Sequence, residues 1–205
     1  MTPIVHKVTC FITRSGIDYL DLLLFIHPHA GVQIPAGTVN PGEDLEIAAQ
    51  REAAEESGLD NLLLLRSLGE VDEPPQDGYM LVARPTPVYS HPDLHSFDWA
   101  HFRPGLMVNV LRHSAGFTQV RYEESDNYID PQYTTYNITG WAPDEALTHQ
   151  CIRHFFVFEA LGKTPNQWSV ATDNHIFGLF WAPIRNLPSI VPPQDTWVKW
   201  VAVLY

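Results

Sequence analysis

Three glutamates, Glu52, Glu55 and Glu56, stand close together in Arg51-Glu-Ala-Ala-Glu-Glu-Ser-Gly58. In a helix, at about 100° per residue, Glu55 lies ~60° to one side of Glu52 and Glu56 ~40° to the other. The carboxylates then share one face, and like charges at that spacing oppose one another. From composition alone such a helix reads as a solvated acidic surface. It gains a purpose if a hard cation sits among the carboxylates, because Mg²⁺ and Mn²⁺ take carboxylate oxygen alongside waters and substrate phosphates. The chemistry this predicts is hydrolysis at phosphorus: a water attacks while cations neutralise charge building on the bridging and equatorial oxygens. Arg51, one position before Glu52, is placed to bridge a carboxylate and hold it.

These residues need a helix and a loop to position them. The spacing predicts a helix over 44–57, rich in alanine and glutamate, preceded by Pro41-Gly42 and stopped by Gly58. Gly31 to Gly42 is rich in Gly and Pro and predicts a loop with a short strand at 32–34. Val5 to Arg14 and Tyr19 to His27 predict two strands joined as a hairpin. Strands are also predicted at 62–71, 79–83, 154–161 and 175–182, with a short helix at 195–204 carrying Trp197 and Trp200. Between 84 and 150 the pattern is irregular, aromatic and broken by prolines, with strands suggested only at 117–122 and 133–138. The arrangement this predicts is mixed α+β, one central helix with several strands, in a single domain over 1–205 with an insertion at about 84–150.

The glutamates belong to a longer pattern. Gly37, five residues, Glu43, seven residues, then Arg51-Glu52-Ala53-Ala54-Glu55-Glu56-Ser57-Gly58-Leu59 resembles the Nudix box at every fixed position. Seven fixed residues at ~6% each coincide by chance on the order of 10⁻⁹ times per start position. The resemblance implies a Nudix-type α/β/α sandwich with a mixed sheet. It also implies hydrolysis of the diphosphate bond in a nucleoside diphosphate linked to another moiety. Residue by residue, it implies that Glu52, Glu55 and Glu56 hold the metal (Mg²⁺ or Mn²⁺) and serve catalysis, with the carbonyl of Ala36 as a further ligand. Glu43 and Arg51 match a pair that braces loop and helix. Gly37 lets the backbone turn close to metal and phosphate, which puts Gly37 and Arg51 on the substrate side of the site. The alternative within this resemblance is a nucleotide-binding sensor of Nudix fold that does not cut its ligand.

Other residues are weighed against plainer roles. The resemblance places an extra carboxylate in a late loop, and Asp173 takes that place as catalytic residue. Glu123 or Glu124 is the alternative base if the insert folds over the site, and a neutral His175 is a proton relay. The plain reading of Thr172-Asp173-Asn174-His175 is a polar turn before a buried strand. His91 and His95 are four apart, but Pro92 breaks the helix a zinc pair would need. His27-Pro28-His29 precedes the box loop and reads chiefly as loop, with phosphate contact as the sharper alternative. In the insert, Trp99 and Tyr128 are candidate substrate-binding residues, their rings suited to stacking a base. The plainer roles for the insert are a homodimer contact or a second wall of the core.

Composition narrows the partners. The chain has 205 residues, 45% hydrophobic and 18% charged, and a formal charge of −12. That charge repels nucleic acid, and no cluster of Lys and Arg offsets it. A small nucleotide substrate would need cations and local donors to be held. No apolar run approaches the ~18 residues of a membrane span, and the first ten residues lack the pattern of a signal peptide, so a cytoplasmic location is expected. Cys10 and Cys151 read as buried free thiols. Pro75, sixteen residues after Leu59, resembles a mark of the ADP-ribose-cleaving branch, although Pro74-Pro75 also suits an ordinary acidic turn. ADP-ribose-like compounds are therefore placed narrowly ahead of nucleotide sugars and dinucleoside polyphosphates.

Overall fold

The computed structural model describes residues 3–16, 20–126, 133–172 and 175–202. In chain order its strands are β1 (Val5–Ser15), β2 (Leu20–His27), β3 (Gly31–Gln33), β4 (Ala36–Thr38), β5 (Leu62–Asp72), β6 (Tyr79–Val82), β7 (Thr86–Tyr89) and β8 (Asp98–Phe102). There follow β9 (Met107–Ser114), β10 (Phe117–Asp126), β11 (Tyr133–Pro143), β12 (Leu147–Thr148), β13 (Cys151–Ala160), β14 (Gln167–Thr172) and β15 (His175–Pro183). The helices are α1 (Leu45–Ser57) and α2 (Val198–Ala202), with 3₁₀ turns at Asp144–Ala146 and Gln194–Trp197. None of the helices is long and apolar enough to cross a membrane among the described residues. The chain forms two compact units, one from 1–7, 40–42 and 71–153, the other from 8–39, 43–70 and 154–205.

The second unit holds the α1 helix. Its sheet has the order β14-β15-β2-β1-β13-β5, with β3 on β2 and β4 on β1. β2 runs antiparallel to β1 and β15. β1 and β13 run parallel, since Val5 N–H bonds the Gln150 carbonyl at one end and the Thr13 hydroxyl bonds the Phe158 carbonyl at the other. The sheet is therefore mixed. Leu23, Phe25, Phe156, Phe158, Phe177 and Leu179 pack on one face with Ala48, Ala49 and Ala53 of α1. On the other face Phe155 stacks against Trp200 at 4.8 Å and meets Trp197 at 6.1 Å, both from the C-terminal helical segment. The α/β class and the helix–sheet–helix layering expected from sequence are both present. Cover on both faces explains why Val8 to Thr13 is buried without alternation.

The first unit carries a seven-stranded sheet in the order β12-β6-β9-β10-β11-β7-β8. The irregularity read between 84 and 150 is thus corrected: most of that segment is strand. Four of its prolines mark strand ends and turns: Pro85 precedes β7, Pro92 lies in the β7–β8 loop, Pro104 in the β8–β9 turn, and Pro143 ends β11, whereas Pro87 lies within β7. β9 and β10 join through Ala115 and Gly116, with φ of 52° and 79° and Ser114 opposite Phe117. Two consecutive positive φ values give the turn that matches strand twist. Val82, Val88, Phe102, Val108, Val120, Ala142 and Leu147 form its core.

This unit also holds a charged cluster of Lys7, Glu73 and Arg153. Arg153 is almost fully buried and bonds Glu73 at 2.7 Å. Burial, and then the charge of Arg153, holds the Lys7 ammonium below the ordinary lysine pKa. The folded chain thus releases this proton at a lower pH than the unfolded chain does. Between those two pKa values the unfolded state binds more protons, so the penalty on folding shrinks as pH rises. Lys7→Met is expected to raise the urea midpoint at pH 7, and the gain over the parent should fade as pH approaches ~10. A gain that grows with pH would reverse the assigned sign.

Candidate active site

The box helix begins and ends on specific chemistry. The Asp44 side chain accepts the N–H groups of Glu46 and Ile47, closing the first turn. Gly58 ends the helix at φ 66°, and its N–H bonds the Ala54 carbonyl. At that end the Trp168 indole N–H donates to the Ser57 carbonyl at 2.7 Å. The buried residues of α1 are Ala48, Ala49, Ala53 and Ser57, so the small side chains lie on the sheet and the glutamates lie off it.

Arg51 organises the acidic face. Its guanidinium grips both oxygens of Glu43, at 2.8 and 2.9 Å, and reaches Glu52 at 2.8 Å, Glu55 at 3.1 Å and the Thr38 carbonyl at 3.2 Å. Only a planar fork of donors can serve so many acceptors at once. The hydrogen bonds that Arg51 donates to Glu43, and after an opposing effect of burial the one it donates to Glu52, push the guanidinium further above its ordinary pKa. Arg51 is therefore charged at every working pH. Its donors are committed to the box itself, which fits the bracing role and leaves its substrate-side role to be tested.

The loop meets the helix at two further points. Glu56 accepts the backbone N–H of Ala36 at 2.8 Å. Gly37 lies directly over Glu52: a Cβ at that position would sit 1.9 Å from the Glu52 carboxyl carbon and within 2.2 Å of both its oxygens. Only a residue without a side chain permits this approach. Ala36, Gly37, Glu52 and Glu56 thus lie together, while Glu55, with 53% of its side chain accessible, stands at the outer rim.

A divalent cation is what the box implies, and the donors can be tested for it. The set is hard oxygen: the Glu52, Glu55 and Glu56 carboxylates with the Ala36 carbonyl, beside a glycine that leaves space. Chemically this suits Mg²⁺ or Mn²⁺. Among the described residues, no three His, Cys, Asp or Glu side chains are grouped so as to hold a metal as they stand. Arg51 lies between two of these carboxylates, bonding Glu52 at 2.8 Å and Glu55 at 3.1 Å.

The remaining candidates fall elsewhere. Asp173 and Tyr128 lie outside the described residues. Trp99 is on β8, the edge strand of the first unit's sheet, and is 45% accessible. Glu123 and Glu124 are on β10 of that unit. His175 opens β15 and meets His27 and His29, ring to ring, at 4.8 and 5.4 Å. Sequence reasoning gave His27 and His29 chiefly to the loop and had no means of pairing them with His175. It also missed the C-terminal brace of the box loop: Gln194 Oε1 accepts the Ile34 N–H at 2.6 Å, and Val191 N–H bonds the Val32 carbonyl at 3.0 Å. The polar Gln194 within an apolar, proline-rich tail was the only hint.

Comparison with known proteins agrees with the box. The sequence profile of the NUDIX domain matches residues 6–98, a little under half of the chain. Among solved structures, an Ap4A hydrolase binary complex from C. elegans is similar with a TM-score of 0.46 and 13% identity, over 98% of this chain and 97% of that one. The NUDIX domain of Shewanella oneidensis NrtR, complexed with ADP ribose, has a TM-score of 0.45 and 10% identity, over 100% and 90% of the two chains. No curated protein matches. The profile match spans the whole box from Gly37 to Leu59 and so agrees with the resemblance read from those residues.

Proposed function

We propose that the chain is a divalent-metal-dependent hydrolase that cleaves the diphosphate bond of a nucleoside diphosphate derivative. ADP-ribose-like compounds come first, with nucleotide sugars and dinucleoside polyphosphates beside them. One observation supports this above the rest: Glu52 and Glu56 are held against Gly37 and Ala36 by an intact box. Glu52, Glu55, Glu56 and the Ala36 carbonyl would hold Mg²⁺ or Mn²⁺. When bound, the cation supplies charge neutralisation at the phosphoryl oxygens and acidifies water. Arg51 fixes the carboxylates so that little reorganisation is needed at the moment of reaction. Gly37 keeps a side chain from the space beside Glu52. Asp173, by its place in the sequence, is proposed to take the proton from the attacking water, and Trp99 and Tyr128 to stack a nucleobase. We place the whole chain in one domain with 84–150 as its insertion, acting in the cytoplasm on a small nucleotide, without nucleic acid or membrane.

The test is a nucleotide panel incubated with Mg²⁺, with Mn²⁺ and with EDTA, and products identified by mass. Turnover should appear with either cation and vanish in EDTA. Full turnover in EDTA would overturn the metal assignment. Binding without any product would favour the sensor reading.

A further inference from the structure

Three imidazoles from distant parts of the chain meet in the second unit. His27 ends β2, His29 lies two residues on, and His175 begins β15. Their ring centroids are 4.8 Å (His27–His175), 5.4 Å (His29–His175) and 6.0 Å (His27–His29) apart. Strand register explains the meeting. Gly178 pairs with Ile26 and Leu179 with Phe25 in an antiparallel ladder; just beyond it Phe177 meets His27, and the turn after β2 brings His29 to His175. Side chains two apart share a face. Leu23, Phe25 and His27 therefore form one row and Leu179, Phe177 and His175 the next, and the apolar members of both rows pack with α1. Phe25 stacks on Phe177 at 4.5 Å, and beyond them the rows turn from phenyl to imidazole. The cluster thus lies on the α1 face of the sheet, and the chain runs from His29 through β3 to the Ala36–Gly37 loop over Glu52 and Glu56.

Phenyl rings would continue the core at least as well; what imidazole adds is N–H groups. The backbone N–H of His29 donates to His27 Nδ1 at 3.0 Å. Nδ1 of His27 is then an acceptor, and the neutral ring carries its proton on Nε2 as a donor. The box face is anionic, and its one arginine, Arg51, gives its donors to Glu43, Glu52, Glu55 and Thr38. In a chain of formal charge −12, a diphosphate needs donors from elsewhere on the same face.

We propose that His27, His29 and His175 form a phosphate-binding subsite that holds the non-bridging oxygens of the substrate's diphosphate through imidazole N–H groups. This rests on the hydrolase reading above. The subsite positions substrate and takes no part in bond cleavage, so it acts on KM. His27→Phe and His175→Phe keep a ring in place while removing the N–H groups.

The experiment uses the full chain in Mg²⁺ buffer and has two arms. In the first, imidazole resonances are followed by NMR as inorganic diphosphate is added. The signals of His27, His29 and His175 should shift saturably, while those of the exposed His91 and His95 stay still. No shift, or an equal drift of all histidines, overturns the subsite, as does a response to Zn²⁺ alone. In the second arm, each Phe variant should raise KM for the best substrate of the panel by at least tenfold, with kcat within threefold. Unchanged KM in variants that fold overturns the proposal. The arms also separate the two claims. Diphosphate binding without turnover of any nucleotide sinks the hydrolase reading and leaves the subsite, whereas turnover without imidazole shifts does the reverse.

Discussion

Glu56→Gln and Glu52→Gln should each lower kcat by at least ~100-fold while leaving the fold intact. Glu56 makes the sharper case. Its Oε2 accepts the Ala36 N–H at 2.8 Å, and a glutamine carbonyl can accept the same bond. The substitution therefore keeps the loop seated and removes only the charge. Losing one charge-stabilising group at a reacting centre typically costs a few kcal/mol of barrier. Thermal stability should hold or rise slightly, since one member of a like-charged face has been neutralised. The measurement is kcat with saturating Mg²⁺ beside a melting curve. A folded variant with near-parental turnover would remove Glu56 from the chemistry.

Gly37→Ala should be almost as damaging, for a different reason. The new methyl would fall 1.9 Å from the Glu52 carboxyl carbon, far inside contact distance, so Glu52 or the loop must move. Glu52 is also held by Arg51, which is itself anchored on Glu43 through two bonds. The displacement should therefore reach the loop. A misplacement of about 1 Å at a catalytic constellation can cost ~100-fold in rate, and that is the expected loss in kcat/KM. Gly42→Ala is a useful comparison, because nothing lies within 4 Å of its added methyl, although its φ of 80° adds local strain. If Gly37→Ala retained full activity, the close approach over Glu52 would have no catalytic meaning.

The box could be read from the chain because its signals are local. Asp44 caps α1 and Gly58 stops it, and both act through bonds to residues within four positions. The glutamates share a face by helical geometry alone. The Arg51–Glu43 pair was accessible only through the resemblance, which matches both positions. The seven-stranded sheet was legible only in part: β6, β10 and β11 answer to the strands expected at 79–83, 117–122 and 133–138, while the other four were not read. β7 is four residues long and contains Pro87, β9 is mostly exposed, and β12 is two residues long, so none carries a strong strand signal in its sequence. Those strands form because distant partners pair with them. The same limit hid the imidazole cluster. His27-Pro28-His29 and His175 carry no mutual signal until β15 pairs with β2. Gln194 was hidden for the same reason, its acceptor role depending on a tail that returns to Ile34.

The way β15 pairs with β2 also bears on how the chain is made. β2 and the box helix leave the ribosome long before His175–Pro183, which must lie along β2 from Asp21 to Ile26. Until then Phe25 lacks the Phe177 ring that stacks on it, and one hydrogen-bonding edge of β2 is open. An exposed apolar strand edge is a site where nascent chains stick to one another. The unit that carries the box is thus begun early and completed late, and its yield should depend on how well that waiting strand is shielded during synthesis.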